Sequence, residues 1–138
     1  MTPRTLRRLL ALALLVAVCG CRSGPRLVKV TGRLTYKGEP IPNTDVKFIP
    51  EDGGRPSHGL TNKDGEFTLK FTRTEFGVTP GRHTVILTYD AVAEEQLPKE
   101  ERVPSALRAA IARYGDVTKS ELHFDVKEDD QVIPIALE

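Results

Sequence analysis

Beyond position 21 the chain has no cysteine, and nowhere does it have tryptophan. The first absence removes a disulfide framework, a thiolate metal site and a thiol nucleophile from residues 22–138. The second removes the best platform for stacking a sugar ring; three Tyr and five Phe remain. A basic excess is also missing, with 20 Lys and Arg against 19 Asp and Glu. Arg4, Arg7 and Arg8 all lie before residue 21, so the rest carries 17 basic and 19 acidic groups, a formal −2. That balance gives no electrostatic reason to expect nucleic acid. Long apolar runs are absent as well. The stretch Leu9–Val18 would cover about 15 Å as a helix, roughly half a bilayer core.

What is present begins with an address. Arg4, Arg7 and Arg8 precede the short apolar run, the order of an export signal. Val18-Cys19-Gly20-Cys21 resembles the lipobox of bacterial lipoproteins, with an aliphatic residue at −3 and a small one at −1. The resemblance implies cleavage after Gly20 and lipidation of Cys21 by a diacylglyceryl thioether, with a further acyl chain such as palmitate on the new amine. The alternative is an ordinary secretory signal cleaved elsewhere. One acyl chain holds a protein only marginally at a membrane, whereas two or more hold it stably. The expected organisation is a signal peptide over 1–20, a lipidated tether over 21–26 and one domain over 27–138. The expected location is the cell membrane or outer membrane, facing the periplasm or the cell surface. Arg22 at +2, in place of the Asp that retains some lipoproteins in the inner membrane, leans toward the outer one.

From Leu27 onward apolar residues recur at every second position. Val28, Val30, Leu34 and Tyr36 share a face, as do Val46 with Phe48, and Phe67 with Leu69 and Phe71. Val85, Leu87 and Tyr89 follow less cleanly, then Leu122, Phe124 and Val126, then Ile133, Ile135 and Leu137. Strands with one apolar and one polar face predict two antiparallel sheets packed face to face, a β-sandwich. Gly38 with Pro40 and Pro42, Asn62-Lys63-Asp64-Gly65, and Glu51–Ser57 supply the turns. Pro134 marks the last strand as an edge, because proline cannot donate to a ladder. Residues 91–119 depart from the pattern: Val103, Leu107, Ile111 and Tyr114 fall on one helical stripe between Pro104 and Gly115. A short amphipathic helix over an end or edge of the sandwich is expected there, with a lid over a ligand as the alternative.

Three motifs occur in order. Val30-Thr31-Gly32 running into Gly38-Glu39-Pro40-Ile41 resembles the opening of carboxypeptidase-regulatory-like domains. Thr61-Asn62-Lys63-Asp64-Gly65-Glu66-Phe67 resembles their hairpin, and Pro80-Gly81-Arg82-His83-Thr84-Val85 their Pro-Gly-x-Tyr-x-Val strand, with His83 in place of Tyr. Ile111–Asp116 and Ser120–Val126 further resemble the tail of small lipoproteins built on this domain. The resemblance implies a seven-stranded, Greek-key, transthyretin-like (prealbumin-like) sandwich with a short helix in a late insertion. It also implies an accessory, structural or binding role.

The chemistry-bearing residues are sparse. His58, His83 and His123 stand apart, the nearest approach to a metal spacing being His123 with Asp125 on one strand face. Asn62, Asp64 and Glu66 faintly echo a calcium loop but are explained by turn chemistry. Ser23, Ser57, Ser105 and Ser120 lie in no nucleophile motif. Transthyretin-like hydroxyisourate hydrolases end in Tyr-Arg-Gly-Ser, whereas this chain ends Ile133-Pro134-Ile135-Ala136-Leu137-Glu138. The expectation is therefore no catalytic residue, no metal and no cofactor. The leading function is a membrane-anchored structural or protein-interaction module of the cell envelope, and pairing at a sheet edge is one contact mode for an envelope protein partner. A small-ligand or glycan-binding module is the alternative, and a transthyretin-like hydrolase using His58 or His83 the second.

Overall fold

The computed structural model describes residues 24–138. The segment expected as a signal peptide, Cys21 and the first part of the expected tether lie outside the described residues.

Eight strand segments form two sheets. In the first, β1 (Val30–Tyr36) is central; β8 (Gln131–Leu137) flanks it on one side, β5 (Glu66–Thr68) and the two-residue β2 (Glu39–Pro40) on the other. The second runs β4 (Ser57–Leu60), β3 (Asp45–Pro50), β6 (Gly81–Thr88), β7 (His123–Val126), all antiparallel. The chain is mostly β, and the two sheets share one core.

The period-two residues fill that core. Val30, Leu34, Phe67, Ile133, Ile135 and Leu137 of the first sheet are buried, as are Val46, Phe48, Val85, Leu87 and Val126 of the second. Phe48 and Phe67 meet across the layers with ring centres 6.5 Å apart. Full burial of a side chain of this size stabilises by about 1.5–3 kcal/mol. Gly32 interrupts the apolar face of β1 because no side chain fits there. A Cβ on it would lie 2.2 Å from the Ile133 carbonyl oxygen and 2.4 Å from Phe67 Cζ.

One ladder departs from the sequence expectation of antiparallel sheets: β1 and β8 pair in parallel over their full lengths. The Glu128–Asp130 turn carries the chain from the second sheet back to the first, so β8 enters beside the start of β1 and runs with it. β8 is nonetheless an edge strand, as Pro134 indicates. At the opposite side the sheets are stitched together, with His58 N–H donating to Lys70 O (3.0 Å) and Lys70 N–H to His58 O (2.9 Å).

The insertion holds α1 (Ala91–Glu95), a 3-10 turn at Lys99–Glu101 and α2 (Ser105–Arg113). The expected stripe is the buried one: Val103, Leu107 and Ile111 join the core, with Tyr114 packed beside them. Asp90 caps α1 by accepting from the Val92 and Ala93 N–H groups. Leu87 N–H donates to Tyr114 O, fixing the insertion against β6.

Candidate functional site

The three histidines occupy three separate environments. His58 points outward from β4, its Nδ1 3.4 Å from Asp45 on the neighbouring strand. His83 points inward and is fully buried, its ring 5.9 Å from that of Phe48. Its Nδ1 is 3.0 Å from the Gly81 carbonyl, and its Nε2 has no hydrogen-bond partner. Burial pushes its pKa below the ordinary histidine value. His83 therefore takes the apolar side of its strand, as the resemblance to a Tyr position implies, and faces core in place of a cleft.

His123 points outward from β7 and bonds Glu51, 72 residues away, at 2.8 Å. The expected neighbour Asp125 is not its partner: the Asp125 carbonyl accepts instead from the Gln131 side chain. Thr84 Oγ1 donates to the same Glu51 Oε1 at 3.2 Å and lies 3.3 Å from His123 Nδ1. Arg82 Nε is 3.4 Å from Glu51 Oε2. The bond from His123 leads the effects that hold the Glu51 carboxyl below its ordinary pKa, with Thr84 and Arg82 adding to it.

This Thr-His-Glu cluster contains the residue types of a nucleophilic triad, but not its wiring. In a triad the acid holds one ring nitrogen and the nucleophile bonds the other. Here Glu51 and Thr84 both sit at Nδ1, and the hydroxyl proton is already donated to the carboxylate. The arrangement pins the Glu51 turn to β7. It also buries Thr84 on what the sequence gives as a polar face, which explains the less clean alternation of β6.

An open cleft of about 820 Å³ lies on the outer surface where β8, β1, β5, β4 and β3 succeed one another. Ladder register places Val132, Thr31, Thr68 and Leu60 in one cross-strand row. The row is uncharged, and its ends are exposed aliphatics, Val132 at 69% and Leu60 at 63%. Arg33, Lys70 and Arg73 flank it, and none of them forms an ion pair among the described residues. Asp45 of β3 stands beside Leu60 and continues the row with a carboxylate, 3.4 Å from His58 Nδ1.

The remaining residues singled out in the sequence hold structural positions. Asn62 Oδ1 accepts from Asp64 N–H and Glu66 N–H, both at 2.9 Å, so the faint calcium motif is a hairpin turn closed by its own backbone. Gly65 completes it at φ +74°. Ser120 Oγ donates to the Val85 carbonyl, Ser57 Oγ is buried without a partner, and Ser105 opens α2. Among the described residues no group of three His, Cys, Asp or Glu side chains converges as a metal site. Tyr36, Tyr89 and Tyr114 pack against the core, each with a cation over its ring. The exposed aromatic is Phe76, which strand periodicity did not flag because it lies in a loop.

Comparison with protein-family models, with curated proteins and with solved structures finds no match to the chain.

Proposed function

We propose that the chain is a lipid-anchored, non-enzymatic module of the cell envelope that engages a protein partner through the outer face of β1, β5 and β4. The reading combines the lipobox at Cys21, the resemblance to seven-stranded, Greek-key, carboxypeptidase-regulatory-like domains, and the surface of the folded part. The observation that carries the contact is the Val132–Thr31–Thr68–Leu60 row. Three strand spacings make it about 14 Å long, enough to seat several residues of an extended chain. Leu60 and Val132, both well exposed, bracket Thr31 and Thr68 and give the row two apolar anchor points for a bound segment. Arg33, which forms no ion pair among the described residues, offers such a partner one cation beside the row. The Glu51–His123–Thr84 wiring supports a role without nucleophilic catalysis.

A photo-crosslinking residue placed at Leu60 or Val132 in living cells should give one reproducible protein adduct. The same residue at Val117, exposed on the insertion, should not. Adducts of equal yield from all three positions, or none from the first two, would overturn the contact face. Anchoring is tested separately: Cys21→Ala should move the protein to the soluble exported fraction, and retention in the membrane would refute lipidation there.

A further inference from the structure

Phe76 is 53% exposed, and it stands where the tether enters the domain. Val28 N–H donates to Val78 O at 2.9 Å, and Val78 N–H returns to Val28 O at 3.0 Å. A Cβ on Gly77 would sit 3.1 Å from that of Leu27, so the entering chain runs against Phe76-Gly77. From Cys21 to Leu27 the chain reaches about 20 Å at most. Any lipid on Cys21 therefore holds this end of the sandwich close to the headgroups.

The surroundings of Phe76 are cationic. Lys70 Nζ lies 5.0 Å from its ring centre, and the Arg55 guanidinium 5.8 Å from that of the half-buried Phe71. Arg73 is exposed in the turn that joins Phe71 to Phe76 in sequence. Arg55, Lys70 and Arg73 form no ion pair among the described residues, and Glu75 in the same turn accepts from the Thr72 hydroxyl at 3.1 Å. Opposing charge gathers on the other margin of this end, at Glu128, Asp129 and Asp130, where Asp129 accepts from Lys29 N–H.

The geometry points to Phe76, with Arg55, Lys70 and Arg73, as a second, non-covalent contact with the anionic surface of the membrane that carries the anchor. The inference rests on the Cys21 reading. An aromatic ring favours the interface between headgroups and acyl chains, and cations beside it meet lipid phosphates. The tether makes the encounter intramolecular, so a patch that recruits the free protein only at high lipid concentration suffices to orient the anchored one. The acidic turn then faces away from the bilayer.

The absence of tryptophan makes Phe76→Trp a single-site reporter in the full chain. The lipoprotein is reconstituted in phosphatidylcholine vesicles with and without phosphatidylglycerol, and its emission and quenching by brominated acyl chains are read. Blue-shifted, quenched emission in the anionic vesicles is expected. Arg55→Glu and Arg73→Glu should each reduce the ratio of docked to undocked protein on the order of fivefold. A Val117→Trp reporter on the far insertion should stay unquenched. Emission at Phe76→Trp unchanged by either vesicle, or shifted equally in both, would overturn the contact. Flotation of the same sample reports the anchor independently. If the protein fails to float, the Cys21 reading fails, and titration with phosphatidylglycerol vesicles decides the patch alone. A salt-sensitive shift supports it, and no shift at saturating lipid removes it.

Discussion

The Glu94 carboxylate, 1% exposed, sits 3.1 Å from the Arg108 guanidinium, joining α1 to α2 across fourteen residues of chain. Its other oxygen accepts from the Val103 N–H, and Arg108 lies over the Tyr89 ring. A carboxylate is tolerated in so dry a place only because its charge and lone pairs are matched. The pair therefore clasps α1 to α2, adding to the burial of Val103, Leu107 and Ile111 that seats the insertion on the core.

Removing either partner should be felt locally first. Arg108→Ala leaves a buried, uncompensated carboxylate and should cost about 2 kcal/mol, the side chain's partial exposure keeping the loss below that of a fully buried pair. Glu94→Gln keeps an acceptor for the Val103 N–H and should cost less, about 1 kcal/mol. Urea unfolding measures the totals, and amide exchange should show protection lost over 91–113 before the sheets. Uniform loss across the domain would show that the clasp is not local.

His83 sets the pH response. Its folded pKa lies below the ordinary 6.5 because burial disfavours the imidazolium, against small opposing effects of the Gly81 carbonyl, Asp52 and Glu51. On acidification the unfolded chain takes up that proton first, so stability is intact above pH 6.5 and declines below it. Glu51 acts in a separate window: its folded pKa lies below 4.5, so its contribution is present above that value and fades as pH falls through the lowered one. His83→Leu should flatten the stability curve just below pH 6.5 while leaving the acid limb that begins below 4.5. An unchanged slope just below pH 6.5 would show that His83 does not titrate with unfolding.

Gly32 tests the packing of β1 against β8. Gly32→Ala places a methyl 2.2 Å from backbone oxygen and 2.4 Å from the Phe67 ring. Backbone cannot step aside as a flexible side chain can, so a loss of about 3 kcal/mol is expected. Thermal melting reads it directly, and a variant as stable as the parent would mean that β8 packs less closely than described.

The legible part of this fold was its local part. Alternation at Val28–Tyr36, Val46–Phe48 and Ile133–Leu137 identifies core-facing residues because burial acts on each strand separately. The Val103–Leu107–Ile111 stripe does the same for α2. The illegible part is long-range. Nothing near His123 in sequence announces Glu51, and nothing in the alternation of β8 distinguishes a parallel from an antiparallel partner. Glu94 reads as one more surface acid in a charged segment until α2 folds back to supply Arg108. Phe76 lies in an isolated bridge to Lys70, too short a stretch for periodicity to carry information. The candidate cleft is wholly of this kind, since its row takes one residue from each of four strands.

The free edges of the sheets speak against edge pairing as the contact mode. In β8 the Gln131 N–H donates to Lys29 O and the Leu137 carbonyl accepts from Lys37 N–H, so odd-numbered residues face β1. Val132, Pro134 and Ala136 then present the outer edge, and Pro134 removes the middle donor. On β7 the Gln131 side chain stands in for a neighbouring strand, donating to Asp125 O and accepting from Lys127 N–H, each at 3.0 Å. Both edges are thus guarded from opposite sides of one residue pair, Gln131 and Pro134. Restoring a donor with Pro134→Val and uncovering β7 with Gln131→Val should open them together. The double variant should associate with rising concentration in sedimentation, each single variant less, and the parent least. A double variant sedimenting as the parent does would return the free edges to consideration as the partner surface.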